Sequence, residues 1–304
     1  MLTIFAIPKP FSGHIGVIQR NAIHSWTLLR PACEIILFGN DEGIEEIAAE
    51  FSLRHVPEVA CNEYGTPFVN VIFGEAQKLS TQKYLCYVNS DIILMNDFMK
   101  TICRIIVKKT RFLVSGRHWK IDINQVLSFD SDWENRLRDF VIKRGQLDII
   151  WALDYFIFPR ETSFEMPQFV IGRPGWDNWL LYKARALSIP IIDVTEAMMA
   201  VHQNHDYLHV PSGSGDSYEG PEADINRQLA KEDGEYFGLL DATYRLKPSG
   251  LKLALERDYL RRHLVTIPIL YPKLTPFIWL IKTLIEVTRP VRLRLRKISN
   301  AGKK

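Results

Sequence analysis

Cysteine is scarce in this 304-residue chain: Cys33, Cys61, Cys86 and Cys103 are the only four, and no two are spaced as CxxC or as a metal finger. That excludes a disulfide framework and a cysteine-built zinc module, and it makes a reducing compartment the simpler setting. Cys86 lies inside the apolar run YLCYV and reads as a buried thiol. No run of eighteen apolar residues occurs, so no spanning helix is expected. The first residues, LTIFAI, are strand-like, without the basic and long apolar regions of a secretory signal, so a cytoplasmic location is expected. The GxGxxG of a dinucleotide fold is missing after the first strand, where PKPFSGHIG stands; that argues against an NAD-dependent oxidoreductase. HExxH is also missing, and a metallohydrolase has no paired-ligand motif to build on. There is no internal repeat.

The C-terminal stretch combines dense positive charge with a lack of acid. From Thr288 onward the chain carries Arg289, Arg292, Arg294, Arg296, Lys297, Lys303 and Lys304 and no Asp or Glu, so the formal net charge of +3 conceals a mildly acidic body. Such a body lacks the distributed Lys and Arg of a phosphate-tracking surface, and no nucleic acid partner is expected. Residues 264–287 are apolar but interrupted by Pro268, Pro272 and Pro276. The segment TPFIWLIKTLIEV followed by RPVRLRLRK fits a membrane-surface element drawn to anionic lipid, peripheral on the inner face. It fits equally a helix packed on the body with a frayed basic end, and VRLRLR alone fits an edge strand.

With 47% hydrophobic residues there is ample material for a large core. The first hundred residues alternate strand and helix: LTIFAIP, then HIGVIQRNAIHSWTLL with apolar residues at helical spacing, EIILFGN, IEEIAAEF, LRHVPEV, TPFVNVIFGEAQKL and KYLCYVNSDIIL. Thr66 is a cap for the third helix and Pro67 its first turn. This rhythm predicts an α/β fold with a mainly parallel, doubly wound sheet. In the second half, RFLVSG and LDYFIF read as strands around an aromatic and charge-rich stretch, GWDNWLLYKARALS as a helix, and IPIIDVTEAMMAVHQ as a strand and connection. PSGSGDSYEGPE reads as a mobile loop, and charged helical patterns continue to about Leu264.

Asn89-Ser90-Asp91 interrupts an apolar strand. A carboxylate and an amide at a central strand's end are costly unless something binds them, and open parallel sheets hold ligands there. Asp91, with a polar side chain two residues earlier, suits a divalent cation and a diphosphate; the plainer alternative is a turn or helix cap. Asp177, on Gly175-Trp176-Asp177-Asn178-Trp179, sits in the first turn of a helix, where the dipole favours a carboxylate. Trp176 and Trp179 suggest stacking against a sugar face, or else core tryptophans behind a capping Asp. VHQNHDYLH gathers His202, His205, Asp206 and His209.

YVNSDIIL resembles the DxD signature of the GT-A nucleotide-sugar glycosyltransferases, near the broad family-2 group, with Asn89 in place of the first acid. The resemblance spans roughly residues 2–210. It implies transfer of a sugar from a nucleoside-diphosphate-sugar donor to a hydroxyl acceptor, a glycan, a lipid-linked saccharide or another alcohol, assisted by Mn²⁺ or Mg²⁺. It implies Asp91 and His202 as metal ligands, with His205 and Asp206 secondary; Pro8, Lys9, Asn89 and Asp41 (or Glu42) at the nucleotide; and Asp177 as the base of an inverting reaction, preceded by Trp where the family often has Glu. Asp154 and Asp122 fall on the acceptor side. The expected organisation is a GT-A domain over 1–210 (nucleotide part about 1–100, acceptor part about 101–210), a loop and helical extension over 211–263, and an apolar and basic tail over 264–304. A non-catalytic sugar-binding scaffold with a degenerate domain is the alternative, motivated by Asn89.

Overall fold

The structure is a computed structural model and describes residues 1–205, 218–233 and 236–287. Its first half follows the predicted alternation: β1 (Leu2–Ala6), α1 (Gly13–Thr27), β2 (Glu34–Phe38), α2 (Ile44–Glu50), β3 (Arg54–Val56), α3 (Val69–Leu79) and β4 (Tyr84–Val88). β1 and β4 are buried along their whole length. Continuous apolar runs of this kind belong to strands covered on both faces, which is why no polar alternation marks them. β2 and β4 flank β1 in parallel, and β3 pairs in parallel with β2. Ile4, Cys86 and Val88 on these strands pack with Ala22, Ile23 and Trp26 of α1 in one core cluster. Each fully buried Ile, Val or Phe contributes about 2 kcal/mol.

After the polar triplet come β5 (Ile92–Ile93), α4 (Asn96–Ile106), β6 (Leu113–Ser115), β7 (Trp119–Ile121), α5 (Trp133–Arg144), β8 (Gln146–Leu147), β9 (Tyr155–Pro159), α6 (Trp176–Ala186), β10 (Ile191–Asp193), β11 (Val201–Gln203) and α7 (Pro221–Asp233). β12 (Tyr244–Lys247) and β13 (Gly250–Leu253) close the main sheet, whose order is β13-β12-β10-β6-β9-β4-β1-β2-β3. β9 enters between β4 and β6 antiparallel to both. A smaller sheet, β5-β11-β7-β8, forms beside the end of β4.

Several local expectations change. α3 begins at Val69, not at Pro67 with Thr66 as cap: Pro67 bridges Cys61 and Phe68 bridges Val170, which holds that stretch extended. The aromatic and charge-rich stretch contains α5, which buries Trp133, Leu137 and Val141. The charged helical pattern before Leu264 contains the β12–β13 hairpin; YRLK and GLKL alternate with period two around Pro248 and Gly250, whose φ of +117° suits glycine. The first compact unit therefore runs to Ala254, well past residue 210, and a second unit starts at Leu255. The second contains α8 (Arg257–Leu270, with Pro268 inside it) and α9 (Thr275–Val287). Asp206, His209, most of the Gly-Ser loop and the basic run 288–304 lie outside the described residues.

Candidate active site

The triplet lies where the chain leaves one sheet for the other. Val88 ends β4 in the main sheet, while Ile92 pairs with His202 in the small one. That register places Asp91 beside the β11 segment that carries His202, Gln203 and His205. Gln203, fully buried, fastens the crossing: its backbone N–H and its Nε2 both donate to the Asp91 carbonyl, at 3.3 and 3.0 Å, and Nε2 also donates to the Ile18 carbonyl. Gln203 Oε1 accepts from Nδ2 of buried Asn21 at 3.0 Å, and Asn21 Oδ1 accepts the Leu127 N–H. Every part of that buried amide pair is used, so the turn bearing Asp91 is held rigidly.

Asp91 Oδ2 stands 3.1 Å from His205 Nε2 and 3.5 Å from His202 Nε2. The three side chains present ligand atoms within 4.8 Å of one another. Burial alone would raise the Asp91 pKa, but His202, the hydrogen bond from His205 and the charge of Lys9 hold it well below the usual carboxylate range. Asp91 Oδ1 and His202 Nδ1 are buried with no hydrogen-bond partner among the described residues. An orphaned carboxylate oxygen and two converging imidazole nitrogens form a donor set that fits a divalent cation.

Asn89 faces away from that set. Its Oδ1 accepts from the Tyr87 hydroxyl and its Nδ2 donates to Asp154 Oδ1, both at 2.8 Å, while its backbone N–H donates to the Asp154 carbonyl at 2.8 Å. Antiparallel pairing of Val88 with Tyr155 brings Asp154 to this spot. Asp154 Oδ2 lies 2.7 Å from His118 Nδ1, and the other ring nitrogen, Nε2, lies 3.0 Å from Asp148 Oδ2. Lys120 closes the row 3.1 Å from Asp148 Oδ1. Burial would lower the His118 pKa; the two carboxylates raise it, Asp154 most, and an imidazole with an acceptor at each nitrogen favours the doubly protonated form. The His118 ring also lies against that of His202, 5.1 Å between centroids and tilted by 31°.

Asp177, lining the same cavity, occupies the first turn of α6. Gly175, at φ +107°, turns the chain after Pro174 into the helix, a conformation that strains any residue with a Cβ. Burial pushes the Asp177 carboxyl up to about 6, partly opposed by the backbone N–H groups of Asn178, Asp177 and Gly175, and reinforced by Asp154. Lys9, Asn89, Asp91, Asp154, Asp177, His202 and His205 line one cavity of about 500 Å³. Burial lowers the Lys9 pKa, and Asp91 raises it again in part. The Lys9 backbone is clamped by Gln19, which donates to its carbonyl and accepts its N–H.

The other residues singled out in the sequence fall elsewhere. Trp176 touches the cavity, but its ring lies edge-on to Tyr87, Phe73 and Phe156 in the core. Trp179 is 1% exposed, packed on Phe169, and does not line the cavity. Pro8 is buried beside Lys9 without lining the cavity, and Asp41 is exposed in the turn before α2, its carbonyl accepting the Ile44 N–H. Asp122 accepts from Asn204 Nδ2 outside the cavity. Sequence reasoning missed His118, Asp148, Lys120 and Gln203. Their signal was faint: polar residues in RHWKID and VHQ become neighbours only because β7 and β11 pair, Lys120 opposite His202.

No family model matches the chain, and no curated protein matches it. Solved structures resemble it in part, at low identity. Glucosyl-3-phosphoglycerate synthase from Mycobacterium tuberculosis, in complex with Mg²⁺ and UDP, is 13% identical with a TM-score of 0.46, covering 76% of this chain and 78% of that one. TarS residues 1–349 of S. aureus, in complex with UDP-GlcNAc, is 13% identical with a TM-score of 0.47, covering 76% of this chain and 71% of that one.

Proposed function

We propose that the protein transfers a sugar from a nucleoside-diphosphate-sugar to a hydroxyl acceptor, by single displacement with inversion. The observation that carries this is the cavity itself, lined both by a cation-ready cluster of Asp91, His202 and His205 and by a carboxylate, Asp177, whose pKa of about 6 suits a base near neutrality. Asp91, His202 and His205 would hold the divalent cation, which when bound neutralises the donor diphosphate and eases departure of the nucleoside diphosphate. Lys9, lining the same cavity and charge-coupled to Asp91, adds positive charge where the diphosphate would lie. The acceptor oxygen attacks the anomeric carbon, the carbon–oxygen bond to the diphosphate breaks, and the acceptor proton passes to an Asp177 oxygen. Asp154, fixed by Asn89 and His118, presents lone pairs to sugar hydroxyls in the same cavity.

Calorimetry with UDP, GDP and dTDP, each with and without Mn²⁺, tests the donor site. Metal-dependent binding of one of them, lost in Asp91→Ala, is the expected result. Absence of nucleotide binding under every condition would overturn the reading. A sugar-binding scaffold is the second reading, because Asn89, its amide bonded to Tyr87 and Asp154, gives a metal no charge. Asp177→Asn separates the two: an enzyme keeps donor binding and loses transfer, whereas a scaffold has no transfer to lose.

A further inference from the structure

The second unit carries an apolar stripe that faces outward. On α9, Phe277, Leu280, Ile281 and Leu284 are 67%, 51%, 40% and 55% exposed. Their spacing, i, i+3, i+4 and i+7, is the stripe by which a helix ordinarily buries itself against a protein core. Trp279, 68% exposed, adds an indole on another side of the same helix, and Leu274, 43% exposed, extends the apolar surface into the preceding turn. Scattered surface hydrophobes need no explanation, but a contiguous stripe of this kind marks a surface that something covers.

Length and charge select the occupant. Thirteen residues make a helix about 20 Å long, short of the ~30 Å hydrocarbon core. No single helix among the described residues is long and apolar enough to cross a membrane; α8 and α9 reach that length and hydropathy only as a pair, bent by 117° at their junction. The sequence that follows α9, residues 288–304, adds seven Arg and Lys and no acid. An apolar helix face followed directly by a polybasic run matches a leaflet that offers acyl chains beneath anionic headgroups. A second copy of this chain would bring the same basic run and repel it.

We propose that α9 lies in the plane of an anionic membrane surface, with Phe277, Leu280, Ile281 and Leu284 in the acyl boundary and the basic run 288–304 on the headgroups. Trp279 sits at the headgroup level, where indoles are enriched. The catalytic unit is thereby held at a lipid surface. This assignment stands independently of the sugar-transfer reading.

Flotation of the full chain with vesicles tests it. Phosphatidylcholine vesicles containing about 30% phosphatidylglycerol should carry the protein upward; pure phosphatidylcholine should carry at least about tenfold less, and 0.5 M salt should release most of it, as screened attraction to headgroups requires. F277S/L280S should abolish flotation, with an unchanged melting temperature showing that the fold persists. R289Q/R292Q/R294Q/R296Q should weaken it by about tenfold or more. No flotation on anionic vesicles would overturn the proposal. So would flotation untouched by F277S/L280S, or a wild-type dimer in solution that F277S/L280S dissociates without any vesicle binding. Nucleotide binding, measured in parallel, reports on the donor site separately, so failure of one reading is visible without the other.

Discussion

Asn89 and Asp154 meet across two antiparallel strands, joined twice: side-chain Nδ2 to Oδ1 and backbone N–H to carbonyl, each at 2.8 Å. The position two residues before Asp91 therefore carries no charge because a carboxylate already stands against it. Asp154, the residue before β9, stands against Asn89 and outside the Asp91, His202 and His205 cluster.

Restoring the acid should accordingly do harm. Asn89→Asp would set two carboxylates in contact, and one of them must take up a proton or part from the other. We expect a loss of about 1–3 kcal/mol in denaturant-measured stability and no gain in metal affinity. The swap Asn89→Asp with Asp154→Asn should recover most of that stability, so a double-mutant cycle showing no coupling would refute the contact.

His118 bridges Asp154 and Asp148 while buried beneath His202. His118→Phe keeps an aromatic ring beside His202 and strands both carboxylates, at about 3 kcal/mol. Because the folded pKa of His118 is raised, its contribution is complete below the ordinary histidine value and is lost as pH rises through the folded value. The stability gap between wild type and His118→Phe should thus narrow from pH 6 upward, read from urea midpoints. A gap independent of pH would mean that the imidazolium pairs contribute nothing.

Transfer should fall on the acid side with an apparent pKa of about 6, as Asp177 takes up a proton. Asp177→Asn should lower kcat by about 10²–10⁴ while leaving donor binding intact. The same raised pKa means that the ionised group opposes folding. Asp177→Asn should therefore be more stable than wild type above pH 6, with the difference vanishing toward the ordinary carboxylate range. A variant that still transfers at the wild-type rate would remove Asp177 from the mechanism.

Two imidazoles and one carboxylate form a softer donor set than the oxygen shell Mg²⁺ demands. Mn²⁺ should bind more tightly than Mg²⁺ in calorimetry, and His202→Ala should narrow that preference along with the Mn²⁺ affinity. Equal affinities in the wild type would show that the histidines do not ligate.

The sequence by itself determined the alternating first half, since apolar runs and turn residues recur there at strand and helix lengths. It also determined that Asp91, inside YLCYVNSDIIL, is a charge at a strand end, and that His202 and His205 lie close together along the chain. Only the tertiary structure decided which of these meet. The pairing of Ile92 with His202 brings the histidines to Asp91, and β9, inserted antiparallel, carries Asp154 to Asn89. Trp176 and Trp179 show the converse: side by side with Asp177 in sequence, they turn into the core, because a helix aims successive side chains about 100° apart. Local pattern fixes an element and its apolar face. Which polar groups share a cavity depends on strand order and register, and those are settled by contacts between residues up to a hundred or more positions apart, which leave no periodic trace along the chain.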